Sequence, residues 1–472
     1  MQHMLHDGEQ LLRATPDRPV VVIGAGPVGL AAAAHLVERN VPFVVLERGD
    51  AVGASVLAWG HVQLFSPWQY CVDAAAERLL QASGWQSPPA DTFPTGAELV
   101  HDYLQPLAAL PVMAAHIQLG SEVVQVTRHG LSKSDSHGRK ERPFAVQVRS
   151  ADGRETVIQA AAIIDASGTY TNPNPLGASG VPARGESVAT AVCVYGIPEV
   201  TGADRLRYAD KRVAVVGSGH SAFQVILELL ALKQSHPTTQ ITWVIRRSID
   251  ALETIYGGGA NDALPERGAL GQRIRAAVVT GQLALVCDWR TDEIAQTETG
   301  VVLRAGERTL APVDEVIVTT GFRPDVRMLS ELRVGLDEIV EAPRALAPHI
   351  DPNLHSCGTV PPHGVRELSH PEPGLFVVGM KSYGRAPTFL LLTGYEQVRS
   401  VVAALAGDWQ AALDVQLVLP ETGVCSGPDA GACCAPVSQS VTMSDVCCAP
   451  APRTVTVHDI AILLDAPAPR CC

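Results

Sequence analysis

No uninterrupted apolar stretch in this 472-residue chain approaches the roughly 18 residues that a membrane-spanning helix needs. The stretch Thr388-Phe389-Leu390-Leu391-Leu392-Thr393 is among the most apolar, and it is short enough to be a core element. The opening residues carry neither a basic n-region nor an apolar h-region, so a cytoplasmic location is expected. Bases are in deficit. Thirty-six Lys and Arg face 49 Asp and Glu, a formal net charge of −13, which argues against nucleic acid or an acidic membrane surface as a partner. Neither Cys-x-x-Cys nor Cys-x-x-x-x-Cys occurs, so two common dithiol spacings are missing. What the composition does supply is bulk: 46% of residues are hydrophobic, enough for several large cores.

Two glycine fingerprints stand out, Gly24-Ala25-Gly26-Pro27-Val28-Gly29 and Gly217-Ser218-Gly219-His220-Ser221-Ala222. Each follows a β-branched run (19–23 and 212–216) and precedes an Ala- and Leu-rich stretch, so strand, tight turn and helix read through both. The first glycine permits the turn and the second lets backbone approach a pyrophosphate. The third position, Gly29 or Ala222, lets the helix pack on the strand with its N-terminus aimed at the phosphates.

The two units differ where their second strands end. Residues 43–46 lead into Glu47, whose carboxylate can accept from both ribose hydroxyls of an ADP moiety that lacks a 2′-phosphate, as in FAD. Residues 241–245 lead into Arg246-Arg247, and guanidiniums suit a 2′-phosphate, which favours NADPH over NADH. A solvated turn, with use of either nucleotide, is the plain alternative for that pair. Together the sites point to a flavin reduced by a nicotinamide.

The expected fold is α/β, with two Rossmann-like dinucleotide-binding domains, the NADPH domain inserted into the FAD domain, and a flexible Cys-rich C-terminal tail. The expected boundaries are 18–175 for the first part of the FAD domain, 200–312 for the NADPH domain, 313–405 for the second part of the FAD domain and 411–472 for the tail. A strand ending in Asp165-Ala166-Ser167-Gly168 and a crossing segment rich in Pro and Gly (173–182) close the first part. Segments 283–286 and 300–303 read as a strand pair, and 316–321 as the return to the FAD domain, which ends with 374–379 and a helix after Gly394.

These features resemble the two-dinucleotide-domain flavoproteins, the group that holds flavin-dependent monooxygenases and thioredoxin-reductase-like enzymes. The resemblance covers roughly 18–405. It is carried by the first fingerprint with Glu47, Asp165 and Gly168, the second fingerprint with Arg246, the turn Thr320-Gly321-Phe322-Arg323-Pro324-Asp325, and Val378-Gly379. It implies that Gly24, Gly26, Gly29, Glu47, Asp165, Gly168 and Gly379 serve FAD, while Gly217, Gly219, Ala222, Arg246 and Arg247 serve NADPH.

Two departures keep the chemistry open. The Phe-x-Gly-x-x-x-His motif of oxygenating members is absent between the fingerprints, and so are the paired cysteines of disulfide reductases. Cys71, Cys193, Cys287 and Cys357 are isolated. Cys71 is the strongest candidate among them because it follows an aromatic segment (59–70) near the first unit. Weak catalytic candidates are Cys71, His61, His363, Lys381 and Tyr383.

Seven of the 11 cysteines fall in the tail: Cys425, Cys433, Cys434, Cys447, Cys448, Cys471 and Cys472. Adjacent cysteines are strained as a disulfide and poorly spaced for tetrahedral zinc, so a soft ion such as trivalent arsenic, mercury(II) or copper(I) fits them better. Reactive redox thiols and a dispensable tail are the alternatives.

The chain is also similar to flavoproteins of bacterial arsenic-resistance clusters, over 61–68, 195–198, 257–264 and 379–389. That resemblance implies an arsenical near the flavin. The reading that follows is an NADPH-dependent FAD monooxygenase acting on a trivalent arsenical or other soft nucleophile, with molecular oxygen as co-substrate. The alternatives are a reductase using the vicinal cysteines and a metalloid-binding protein without turnover. A homo-oligomer is left open.

Overall fold

The computed structural model describes residues 11–257, 265–354, 360–386 and 389–417. The candidate metalloid ligands from Cys425 to Cys472, and Cys357, lie outside the described residues.

The β-branched run Val20–Ile23 is a fully buried strand at the centre of a five-stranded parallel sheet. Its spatial order is Leu375–Val377, Ala162–Asp165, Val20–Ile23, Phe43–Leu46, Ile117–Gln118. Strand side chains alternate between faces, and here both faces are covered. Val20, Val22, Phe43 and Val45 pack under the helices Pro27–Glu38 and Leu391–Leu405. Val21, Ile23, Val44 and Leu46 pack against an antiparallel sheet formed by Ser121–Arg128, Phe144–Ser150 and Glu155–Ala160. The strand Leu375–Val377 adds beside Ala162–Asp165, so this sheet is completed by chain that follows the whole second unit.

The second unit repeats the plan. A five-stranded parallel sheet runs Ala284–Val286, Gln240–Val244, Arg212–Val216, Glu315–Val318, Cys193–Tyr195. Val213, Val215, Ile241 and Trp243 face the helices His220–Ser235 and Pro265–Val279. Ala214, Val216 and Val318 face a three-stranded antiparallel sheet that contains Glu293–Thr297 and Gly300–Ala305.

Two sequence expectations are corrected by these pairings. The strand Glu315–Val318, read as the start of the return to the first unit, is hydrogen-bonded into the second sheet, as is Cys193–Tyr195. The second unit therefore extends beyond 200–312 at both ends. Ala284–Val286 and Gly300–Ala305 are not a pair, because the former edges the parallel sheet and the latter belongs to the antiparallel one. Both misreadings have one cause: a short β-branched run does not say which sheet takes it.

Two crossing segments join the units, and asparagine side chains bind them together. The Asn172 amide donates to the carbonyls of Arg323 and Pro324 (both 3.2 Å), and the Asn174 amide donates to that of Thr320 (3.2 Å). Main-chain bonds from Arg323 N–H to Asn172 and from Asn174 N–H to Gly321 complete the ladder.

Candidate active site

Each fingerprint closes against the residues that follow a neighbouring strand of its own sheet, Ala162–Asp165 in the first unit and Glu315–Val318 in the second. Gly24 has φ 99°, and a Cβ there would lie 2.9 Å from the Ala166 carbonyl oxygen. Gly217 has φ 139°, and its Cβ would lie 2.4 Å from the Thr319 carbonyl oxygen. At Gly29 a Cβ would meet the Gly24 carbonyl at 2.0 Å, so helix and turn touch through backbone alone. Gly26 and Gly219 have nothing within 4 Å of that position, which leaves each cradle open where a pyrophosphate would sit. Neither helix has a side-chain cap, so the first-turn N–H groups are left for a ligand.

The Glu47 carboxylate accepts from Ala25 N–H (2.8 Å) and Gly49 N–H (2.7 Å), which fixes it at the rim of the first cradle. This open, glycine-lined cradle with a positioned carboxylate fits the ADP half of FAD. In the second cradle Arg246 and Arg247 are exposed two and three residues beyond Gln240–Val244, the strand beside the fingerprint strand. Arg246 donates to the Ala178 carbonyl (3.2 Å).

Asp165 and Lys381 form a buried ion pair at 2.7 Å, with side-chain exposures of 0% and 2%. Asp165 also accepts from Ser167 N–H (3.1 Å) and Ser167 Oγ (2.6 Å), and Lys381 donates to Ser167 Oγ (3.0 Å). Asp165 thus shapes the turn that abuts Gly24, and Lys381 is a brace rather than an exposed acid or base. Gly379 rests against Val28 at the start of the first helix, and its N–H donates to Gln397 (2.7 Å).

His363 and Tyr383 are buried behind this wall. The His363 ring bonds to the Pro361 carbonyl (3.0 Å) through Nδ1 and to the Gln397 amide (2.9 Å) through Nε2, and burial pushes its pKa down. Tyr383, its pKa raised by burial, packs edge-on against Phe389 with ring centres 5.1 Å apart. Cys71 is fully buried among core residues, and burial pushes its thiol up to about 12, so it is not a poised nucleophile. Cys193 is pushed up to about 12 by the same cause, and burial also raises Cys287. His61 points at Glu228, with 3.8 Å between Nε2 and Oε1, across the two units.

The candidates do not converge. What converges instead is a cavity of about 300 Å³ between the units. Its walls are segment 62–66 with Trp59, Gly196 and Ile197, the start of the helix His220–Ser235, and 389–391. Tyr170 and Phe322 complete it, with rings 5.2 Å apart, one on each crossing segment. Phe65 of the first unit meets His220 of the second with ring centres 5.3 Å apart. Among the described residues no Asp, Glu, Lys, Arg or Cys lines the cavity.

The sequence reading singled out none of Tyr170, Gln224 or the ring pairs. One signal was available: each ring follows closely on the glycine of the turn that leaves a strand, Tyr170 two residues beyond Gly168 and Phe322 one beyond Gly321.

The profile of the pyridine nucleotide-disulphide oxidoreductase family matches residues 21–356. An indole-3-pyruvate monooxygenase of Oryza sativa subsp. japonica is 29% identical over 241 residues, 50% of this chain and 51% of that protein. The chain matches about half or less of the length of its curated relatives. Among solved structures, a bacillithiol disulfide reductase of Bacillus cereus superposes with TM-score 0.59 at 20% identity, covering 83% of this chain and 99% of that one. A cadaverine monooxygenase of Erwinia amylovora, bound to FAD, superposes with TM-score 0.57 at 14% identity, covering 85% and 97%. At such identities the likeness is one of fold, and the same fold serves a reductase and a monooxygenase. The chain belongs to the pyridine nucleotide-disulphide oxidoreductase family, whose members are FAD- and NAD(P)H-dependent oxidoreductases.

Proposed function

We propose that this family member is an NADPH-dependent FAD monooxygenase that transfers one oxygen atom to a soft nucleophile, with a trivalent arsenical as a candidate substrate. The observation that carries this reading is the cavity between the two cradles, which is walled mainly by aromatic and aliphatic side chains and, among the described residues, by no thiol. A disulfide reductase needs a reactive thiol beside its flavin, and none of the described cysteines lines this space. Oxygen transfer needs a dry pocket instead.

When bound, FAD supplies a hydride acceptor for the nicotinamide and electrons for dioxygen. Gly24, Gly26, Gly29 and Glu47 would hold its ADP half, with Asp165, Gly168 and Gly379 shaping the wall. Gly217, Gly219 and Ala222 would hold the pyrophosphate of NADPH, with Arg246 and Arg247 on its 2′-phosphate. The chain's own contribution is to orient these groups and exclude water from the space between them.

The balance is one NADPH, one dioxygen and one proton consumed. One oxygen atom enters the substrate lone pair and the other leaves as water, so an arsenic(III) compound becomes arsenic(V) and NADP+ is released. The arsenical is supported by the sequence resemblance and by the soft-ligand chemistry of the tail cysteines. A cytoplasmic setting belongs to the same reading, and no helix among the described residues is long and apolar enough to cross a membrane.

Labelled dioxygen tests the reading. The holoenzyme is given NADPH and ¹⁸O₂ with and without arsenite or a phenyl-bearing trivalent arsenical, and the products are analysed by mass. One labelled atom per NADPH in an arsenic(V) product supports it. NADPH oxidation that yields only hydrogen peroxide, or thiols from an added disulfide, overturns it in favour of an oxidase or of a reductase working through the tail cysteines.

A further inference from the structure

We propose that the cavity between the two units admits uncharged organic substrates, in which the soft atom is carried on an apolar body of about one ring, and rejects ionised ones. The inference rests on the oxygen-transfer reading for what happens to the substrate, but not for which substrate binds.

Size sets the first limit. An apolar cavity of about 150 Å³ already holds benzene, so the roughly 300 Å³ here takes a single ring with a small substituent and little more. The walls set the second. Tyr170 and Phe322 present a ring pair from the crossing segments, with Trp59, Phe65 and Phe389 around them. Tyr170 stays a neutral phenol because burial pushes its pKa up.

Charge sets the third limit. Among the described residues no Asp, Glu, Lys or Arg lines the walls, and the His220 imidazole there packs against the rings of Phe65 and Phe223, so a carboxylate or ammonium entering the cavity loses its hydration for little ionic return. The polar side chains Gln63, Ser66, Ser221 and Gln224 are neutral and can hydrogen-bond an uncharged head group. The N-terminal N–H groups of His220–Ser235 do not alter this, because the dinucleotide pyrophosphate takes them. Phe389 is itself backed by Tyr383, so the apolar wall is built from within rather than left by chance.

Three probes of nearly equal shape separate the possibilities: 4-(methylthio)benzyl alcohol, 4-(methylthio)benzoate and 4-(methylthio)benzylammonium. Binding to the oxidised holoenzyme saturated with NADP+ is read, without turnover, from the change in the flavin visible spectrum. The neutral sulfide is expected to bind at least about 100-fold more tightly than either ion. Phe322→Ala is expected to weaken the neutral probe roughly 10-fold with FAD content unchanged. Gln224→Lys, on the solvent-reachable start of a stable helix, is expected to raise carboxylate affinity about 10-fold.

Carboxylate or ammonium binding within about 3-fold of the sulfide overturns the inference, as does failure of the sulfide to bind at millimolar concentration. Product analysis with ¹⁸O₂ is scored separately. Selective binding of the sulfide without label in the product leaves the selectivity standing and overturns the oxygen-transfer reading.

Discussion

Replacing Lys381 with Met separates the brace from the chemistry. The two side chains have similar length and volume, so packing around Lys381 changes little, and the loss is that of the ammonium facing Asp165. Breaking a buried ion pair by removing one partner leaves an uncompensated charge and costs about 3–5 kcal/mol. Asp165 keeps the Ser167 N–H and Oγ bonds in the variant, which places the expectation at the low end, about 3 kcal/mol.

The loss is felt locally, because Asp165 sets the turn whose Ala166 carbonyl lies against Gly24. FAD affinity should therefore fall along with stability. The assay is FAD content and equilibrium dissociation of the purified protein, with thermal unfolding followed at saturating and at zero added FAD. A fall in FAD affinity of about 10- to 100-fold is expected, that is 1.4–2.8 kcal/mol of the total. The double variant Lys381→Met/Asp165→Asn should recover much of the stability, because no charge is left buried. A single variant within 0.5 kcal/mol of the parent and with undiminished FAD affinity would refute the reasoning, and so would a double variant less stable than the single.

Arg246→Ala with Arg247→Ala should raise the KM for NADPH about 10- to 100-fold and leave that for NADH nearly unchanged, since charge-assisted bonds to a phosphate contribute about 1.5–3 kcal/mol; steady-state kinetics with both nucleotides checks this, and equal effects on the two would remove the 2′-phosphate assignment. Glu228 is raised to about 7 by burial, so its carboxyl favours the folded state in the protonated form, and that contribution is fully present below about pH 4.5 and lost as pH rises toward 7. Glu228→Gln should therefore be more stable than the parent at pH 8, by about 1–2 kcal/mol after discounting for partial solvent access, and equal to it near pH 4.5; denaturant unfolding at both pH values decides, and a variant less stable at pH 8 contradicts the sign. Cys71→Ser should keep turnover within about 2-fold while losing roughly 1–2 kcal/mol of stability, because a buried hydroxyl replaces a thiol that meets only the Ser66 carbonyl; a loss of turnover in stably folded protein would restore the thiol as a candidate.

Both cradles were legible in the sequence because each is local: strand, turn and helix within one short stretch, with glycines where backbone must approach backbone. The positions of Glu47 and Arg246 were legible for the same reason, since the end of a second strand lies beside its own fingerprint, and which nucleotide each serves belongs to the proposal. What was not legible is what the chain assembles from afar. Lys381 and Asp165 are 216 residues apart in sequence, and nothing near either one announces a buried partner. His363 and Tyr383 came into view one by one, and that their rings lie 5.6 Å apart behind the wall was not legible, because whether a polar side chain faces a cavity or supports the residue that does is decided by packing, not by type. The cavity shows the same limit. Its walls come from the first unit, from the second and from both crossings, so no single segment carries its signature. Yet Tyr170 and Phe322 each follow the glycine of a turn that leaves a strand, and the repeat that makes two cradles from one plan also brings those two rings within 5.2 Å, tilted by 34°. A second copy of a nucleotide-binding unit thus supplies more than a second nucleotide: folded back through paired crossings, it supplies the other half of the cavity between the units.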